Sequence, residues 1–265
     1  MNSLEGNKYM KVIAVIPARM GSSRFPGKPM ALIHGTPMIG HCYYRTNMCS
    51  ELVATYVATC DQEIYDYINS IGGCAVMTSN KHERATDRTA EAMIKIEEEL
   101  GEKVDIVVMV QGDEPMVTPE MITESLLPFN TDASVNVVNL MAHMNSIKEF
   151  DDPNEVKVVI NKNNDAIYFS REAIPSRKKG VANVPMLKQV CIIPFKRDYL
   201  LKFNEMSETE LERIESVDMM RIIENGEFVR MVMTQFESLS VDTEEDRVRV
   251  ERKMESDVLM NSYKK

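Results

Sequence analysis

Apolar positions along this chain fall into runs whose period changes from segment to segment, and those periods outline the elements. Val12 to Ile16 is a continuous apolar run that stops at Pro17 and predicts a buried strand. Met38 to Met48 carries apolar groups at helical spacing, and Leu52 to Thr59 alternates as a second strand. Asp61 to Ser70 predicts a helix with Asp61 as its cap, ended by Gly72-Gly73, and Cys74 to Met77 a short third strand. Thr86 to Leu100 is strongly amphipathic, with Gly101 at its end, and Val104 to Val110 is the next buried strand. Strands alternating with helices over short connections predict an α/β chain with a largely parallel, doubly wound sheet.

The second half is less regular. Ala133 to Leu140, Val156 to Ile160 and Ala166 to Ser170 predict strands separated by Asn-rich turns, with no helix between them, as in a hairpin-like insertion. Arg177 to Asn183 predicts a basic loop, Lys188 to Pro194 a further strand and Arg197 to Phe203 a short helix. Thr209 to Asn225 predicts one helix stopped by Gly226, Phe228 to Met233 a strand, and Thr243 to Ser256 a closing helix capped near Asp242 or Thr243. No Pro/Gly/Ser linker divides residues 1–265, so a single domain is expected, with residues 133–195 as an inserted strand-rich sub-region.

Composition narrows the function classes. The 265 residues are 44% hydrophobic and 27% charged, ordinary for a soluble globular chain. A net charge of −10 argues against nucleic acid as a partner and leaves local basic clusters for a small anionic ligand. Five scattered cysteines without a CxxC pair predict reduced thiols and a cytoplasmic location. Met1 to Met10 lacks the apolar core of a signal peptide, and no run approaches the ~20 apolar residues of a membrane span.

The first strand runs into Arg19, Gly21, Ser22, Ser23, Arg24, Gly27 and Lys28, three cations among small residues whose amides can be approached closely. Guanidinium groups chelate phosphate oxygens and a lysine supplies a mobile point charge, although a plain basic surface loop would read the same way. The spacing is neither Walker A nor the dinucleotide fingerprint. Val110 leads into Gln111-Gly112-Asp113-Glu114-Pro115, two adjacent carboxylates at a strand end, suited to magnesium or else a simple acidic turn. Asp242, in Ser240-Val241-Asp242-Thr243, is a second metal candidate or a helix cap. Together these residues suit a nucleoside triphosphate with Mg2+. The histidines (His34, His41, His82, His143) lack ligand spacing and read as ordinary turn, helix or loop residues. No nucleophile pattern can be built, so direct attack by a substrate hydroxyl is expected.

The stretch IPARMGSSRFPGKPM, Ile16 to Met30, resembles the opening pattern of 3-deoxy-manno-octulosonate (Kdo) cytidylyltransferases, PARxxSxRxPGKPL. Further matching blocks follow in order: Lys81 to Glu91, VQGDEPM at Val110 to Met116, DPNEVKVV at Asp152 to Val159, IYFSREAIP at Ile167 to Pro175, and SVDTEEDRVRV at Ser240 to Val250. The resemblance implies a Rossmann-like nucleotide-diphosphosugar transferase fold and transfer of CMP from CTP to the anomeric hydroxyl of a 2-keto sugar acid, with release of pyrophosphate. It implies catalytic roles for Arg19, Lys28, Asp113 and Asp242, the two aspartates holding Mg2+. Pro17, Ala18, Arg19, Ser23, Arg24, Lys28, Ala85, Thr86, Arg88 and Asp113 would bind the nucleotide, and Gln111, Gln189 and Glu212 the sugar acid. A homodimer is implied as well, with the 133–195 region as its surface and part of the acceptor site. The chain departs from the family strand HxGIYAYR: Gln189, Cys191 and Ile193 replace its histidine, first glycine and first tyrosine, and Ala85 stands where glycine is usual. A modified Kdo is therefore weighed beside Kdo as acceptor. The remaining alternatives are a nonulosonic acid as acceptor, or nucleotide binding without catalysis.

Overall fold

The computed structural model describes residues 10–22 and 24–264. Chain order begins with β1 (Val12–Ala18), a small hairpin of β2 (Leu32–Ile33) and β3 (Thr36–Pro37), and α1 (Met38–Asn47). Next come β4 (Ala54–Thr59), α2 (Gln62–Ser70), β5 (Cys74–Met77), α3 (Ala85–Leu100), β6 (Ile106–Val110) and α4 (Pro119–Thr131). The second half contributes β7 (Val138–His143), α5 (Ile147–Asp151), β8 (Lys157–Ile160), β9 (Ala166–Ser170), β10 (Leu187–Val190) and β11 (Ile192–Lys196). The chain closes with α6 (Arg197–Glu205), α7 (Glu210–Glu215), α8 (Met219–Glu224), β12 (Arg230–Met233) and α9 (Glu244–Met254).

Two five-stranded sheets result. The first has the order β11-β6-β1-β4-β5, parallel except for β11, which runs antiparallel to β6. The second has the order β12-β7-β10-β8-β9 and is mostly antiparallel. All of β1 is buried, so its two faces feed two cores. Ile13 and Val15 pack with Met93 and Ile96 of α3, Leu200 and Phe203 of α6, and Val158 and Phe169 of the second sheet. Val12, Ala14 and Ile16 face the other way, with Cys42 of α1, Ile64 of α2 and Met121 of α4. Helices on both faces of a parallel sheet are the doubly wound arrangement that the apolar pattern predicts.

Four differences from the sequence expectations have local causes. The run Lys188 to Pro194 is two strands, not one: Val190 pairs with Leu140 of β7 and Ile192 with Val110 of β6, so the chain changes sheets at Cys191. The segment Thr209 to Asn225 is likewise two helices, because Ser216 is left-handed at φ 53° and ends α7. A short helix, α5, does separate β7 from β8, capped by Ser146, and β7 starts at Val138 rather than Ala133. Asp61 does not cap α2 with its side chain; its Oδ2 instead accepts from the Met20 backbone N–H at 2.8 Å, tying the basic loop to β4. The helix α4 has no counterpart in the sequence reading. Among the described residues no helix is long and apolar enough to cross a membrane.

Candidate active site

The carboxyl ends of β1 and β6 open into two adjoining chambers, of about 320 and about 390 Å3. Arg24, Arg84, Ala85, Gln111, Asp113 and Asp242 line both, forming the wall between them. Gly112 allows β6 to end close beside β1, since a Cβ there would lie 2.9 Å from the Pro17 carbonyl oxygen. The Val241 N–H donates to the Asp113 carbonyl at 3.0 Å, which draws the segment before α9 against the end of β6. Thr243 caps α9 in a reciprocal box with Asp246, so the Asp242 side chain is left to face the chambers.

Lys28 occupies the centre. Its Nζ donates to Asp113 Oδ2 at 2.8 Å and to Asp242 Oδ1 at 3.3 Å. Burial works to lower its pKa, but the two carboxylates outweigh burial and raise it, so the ammonium stays charged. Arg24 spans from Asp242 Oδ1, 2.9 Å, to Asn154 Oδ1, 2.6 Å, linking the basic loop to the second sheet. Arg19 is exposed, donates to the His82 carbonyl at 3.4 Å and makes no ion pair among the described residues. Two carboxylates converging on one ammonium, with hard oxygen donors, fit a divalent cation whose other ligands come from phosphate and water. Among the described residues no group of three or more His, Cys, Asp or Glu side chains could hold a metal unaided.

The other nucleotide candidates divide. Pro17 and Ala18 line the first chamber at the end of β1, and Ala85 lines it at the start of α3. Arg88 lines it too; its Nη1 bonds Thr78, and its buried Nη2 has no partner among the described residues. Thr86 does not reach the chamber: fully buried, its hydroxyl donates to Asp218 Oδ2 at 2.9 Å and fixes the start of α3. Ser23 lies outside the described residues. His82, expected to be ordinary, stands on the first chamber with its ring against Glu91.

On the acceptor side Gln111 lines both chambers and Gln189 the second. Glu212 does not belong there. It is fully buried, accepts from Arg221 at 2.6 and 2.7 Å, and holds α7 to α8. The turn at Ser216 brings Asp218 to the chamber instead. Burial raises the Asp218 pKa, and Arg84, 3.4 Å away, works against that. Arg171 also lines the second chamber; among the described residues its guanidinium is held only by backbone carbonyls, those of Glu215 at 2.7 Å and Pro153 at 3.0 Å among them. Beneath lies Glu114, buried, bonded by Ser238 and pushed up to about 7 by that burial. The sequence reading assigned no role to His82, Arg84, Asn154, Arg171 or Asp218. All but Asp218 fall inside or beside the motif blocks, and their clustering there was the available signal.

A family model described as cytidylyltransferase matches residues 13–234. The 3-deoxy-manno-octulosonate cytidylyltransferase of Geobacter metallireducens is 40% identical over 255 residues, covering 92% of this chain and 98% of that protein. The chain belongs to the 3-deoxy-manno-octulosonate cytidylyltransferase family. The relative of the same name from Fusobacterium nucleatum is 37% identical over 241 residues, across 91% of this chain and 96% of the relative. A solved structure of CMP:2-keto-3-deoxy-manno-octonic acid synthetase complexed with CTP superposes with a TM-score of 0.84 at 36% identity, over 92% of this chain and 98% of that one. The fold is thus the Rossmann-like nucleotidyltransferase fold, and the two candidate chambers lie where its parallel strands end. A 4-diphosphocytidyl-2C-methyl-D-erythritol synthase from Anaerococcus prevotii shares the fold at 13% identity, with a TM-score of 0.60 over 92% of this chain and 96% of that one.

Proposed function

We propose that this cytidylyltransferase moves CMP from CTP to the anomeric hydroxyl of 3-deoxy-manno-octulosonate or a close 2-keto-3-deoxy relative, releasing pyrophosphate. The observation that carries this reading is Lys28 of the first chamber held between Asp113 and Asp242, the two carboxylates that line both chambers. The triphosphate lies in the first chamber along Arg19, Arg24 and Lys28, with the base and ribose against Pro17, Ala18, Ala85 and Arg88. The sugar acid lies in the second, its carboxylate on Arg171. The anomeric hydroxyl oxygen attacks the α-phosphorus as the bond from that phosphorus to the bridging oxygen breaks, the electron pair leaving with pyrophosphate and the hydroxyl proton passing to water. Lys28 and Arg24 balance charge on the α-phosphate, and Arg19 balances charge on the departing pyrophosphate. Mg2+, held by Asp113 and Asp242, would supply Lewis-acid neutralisation of the phosphate charge.

Pyrophosphate release is the test, with CTP against ATP, GTP and UTP, and with Kdo, its amino-substituted analogue and a nonulosonic acid as acceptors. CTP-selective release with a Kdo-type acid, abolished by chelation and restored by Mg2+, is expected. Equilibrium CTP binding with silence across the whole panel would defeat the proposal.

A homodimer in the cytoplasm is part of this reading. Ile167 of β9 is exposed, and all five cysteines are free thiols. Sedimentation equilibrium giving a monomer would remove the dimer.

A further inference from the structure

The place where the chain crosses between sheets sets the chemistry of one wall of the acceptor chamber. Residue Val190 is the last of β10, and beyond it the chain leaves β7 for β6. Asn139 of β7 lies at that break, fully buried. Its Nδ2 donates to the Val190 carbonyl at 2.7 Å and to the Leu140 carbonyl at 2.9 Å. Backbone carbonyls can only accept, so the nitrogen of this amide must face them and Oδ1 must point away. Oδ1 in turn accepts from Gln189 Nε2 at 2.6 Å. An amide oxygen cannot donate, so the Gln189 amide is oriented too: its nitrogen faces Asn139 and its Oε1 is left over. Gln189 lines the second chamber, and its Oε1 has no partner among the described residues.

We infer that Gln189 is a specificity-determining residue that reads a donor hydroxyl of the acceptor sugar through Oε1, and that Asn139 is the positioning residue that fixes this polarity. The inference rests on the function proposed above. A freely rotating glutamine would offer either an acceptor or a donor and would discriminate little. A locked one rejects a group that can only accept, because Oε1 would then face a lone pair and lose its partner. The neighbouring residues reinforce the polarity: Glu155 lines the same chamber, the Gln189 N–H is taken by the Val156 carbonyl at 2.8 Å, and Cys191 and Ile193 offer no strong donor. The strip of chamber lining around Gln189 is therefore acceptor-rich and otherwise apolar.

The test compares wild type, Gln189→Leu and Asn139→Leu in steady-state pyrophosphate release. Acceptors are Kdo and its monodeoxy and mono-O-methyl analogues at each hydroxyl remote from the anomeric centre. In the wild type, deleting or methylating one particular hydroxyl should each cost about 10- to 100-fold in kcat/KM, because either change removes the donor. Gln189→Leu should raise the acceptor KM with the CTP KM unchanged, and should erase that discrimination. Asn139→Leu frees the glutamine to turn its NH2 outward, so the methyl ether should recover relative to the hydroxyl, a reversal that loss of folded protein cannot produce. Wild type indifferent to every analogue, or Gln189→Leu with unchanged discrimination, would overturn this inference alone. No turnover of any acceptor by wild type would overturn it together with the proposed function.

Discussion

Lys28 balances two carboxylates that would otherwise repel each other across the wall of the two chambers. Replacing it with methionine removes both this balance and a cation proposed to balance charge on the α-phosphate. Lys28→Met should lower kcat/KM by about 10^2- to 10^3-fold in steady-state assays, the range for losing one pre-positioned charge partner; a loss under 3-fold would refute the assignment. At the edge of the first chamber Glu91 works differently. Burial favours its neutral form, but Lys95, the Ser79 N–H and His82 outweigh burial and hold its pKa at about 2. A carboxyl group depressed in the folded state adds stability above its unfolded pKa of about 4.3, and that stability disappears as pH falls toward the folded value. Glu91→Gln should therefore be about 1 kcal/mol less stable than wild type at pH 7, a modest figure because Lys95 is half exposed. Urea midpoints should converge between pH 4 and pH 2, and a gap that persists at the acid end would contradict the linkage.

At the scale of elements, β6 and β1 end within reach of each other because residue 112 has no side chain. Gly112→Ala would press a methyl onto the Pro17 carbonyl, a backbone atom that cannot swing aside. It should cost about 1–3 kcal/mol and raise the CTP KM, read from a thermal melt and from initial rates; unchanged values of both would mean the strand ends are not in close register. The parallel strands and their helices were legible because each apolar run is bounded by glycine, proline or a change of period. The crossing at Cys191 was not, since Val190 to Phe195 is unbroken apolar sequence and the division depends on whether β7 or β6 takes the hydrogen bonds. Helix α4 was hidden although Thr118 and Pro119 mark its start, because Pro128 lies inside it and obscures the period. Lys28, Asp113 and Asp242 could be found from their motifs, whereas Glu212 was mistaken for a chamber residue because the left-handed turn at Ser216 is set by packing and by no glycine.

For the whole molecule, one apolar cluster joins residues of both sheets, with Ile13 and Val107 of the first packed with Phe169, Leu187 and Met231 of the second. The β10–β11 crossing ties them covalently at the same place. Calorimetry should therefore give a single cooperative transition, raised by CTP in proportion to RT ln(1 + [L]/Kd). Two separable transitions, or one half insensitive to CTP, would show that the sheets unfold independently.

The partition between the chambers is a wall of side chains rather than a barrier of backbone, since Arg24, Gln111, Asp113 and Asp242 face both sides. A single inhibitor with a cytidine phosphate head and a carboxylated sugar-like tail could cross it with a short linker. Tethering the halves makes the second capture intramolecular, at effective concentrations of about a millimolar, with gains of about 10^2-fold or more over either half. Because Gln189 departs from the HxGIYAYR pattern that the sequence otherwise resembles, the tail of such a molecule is also where selectivity for this enzyme could be engineered.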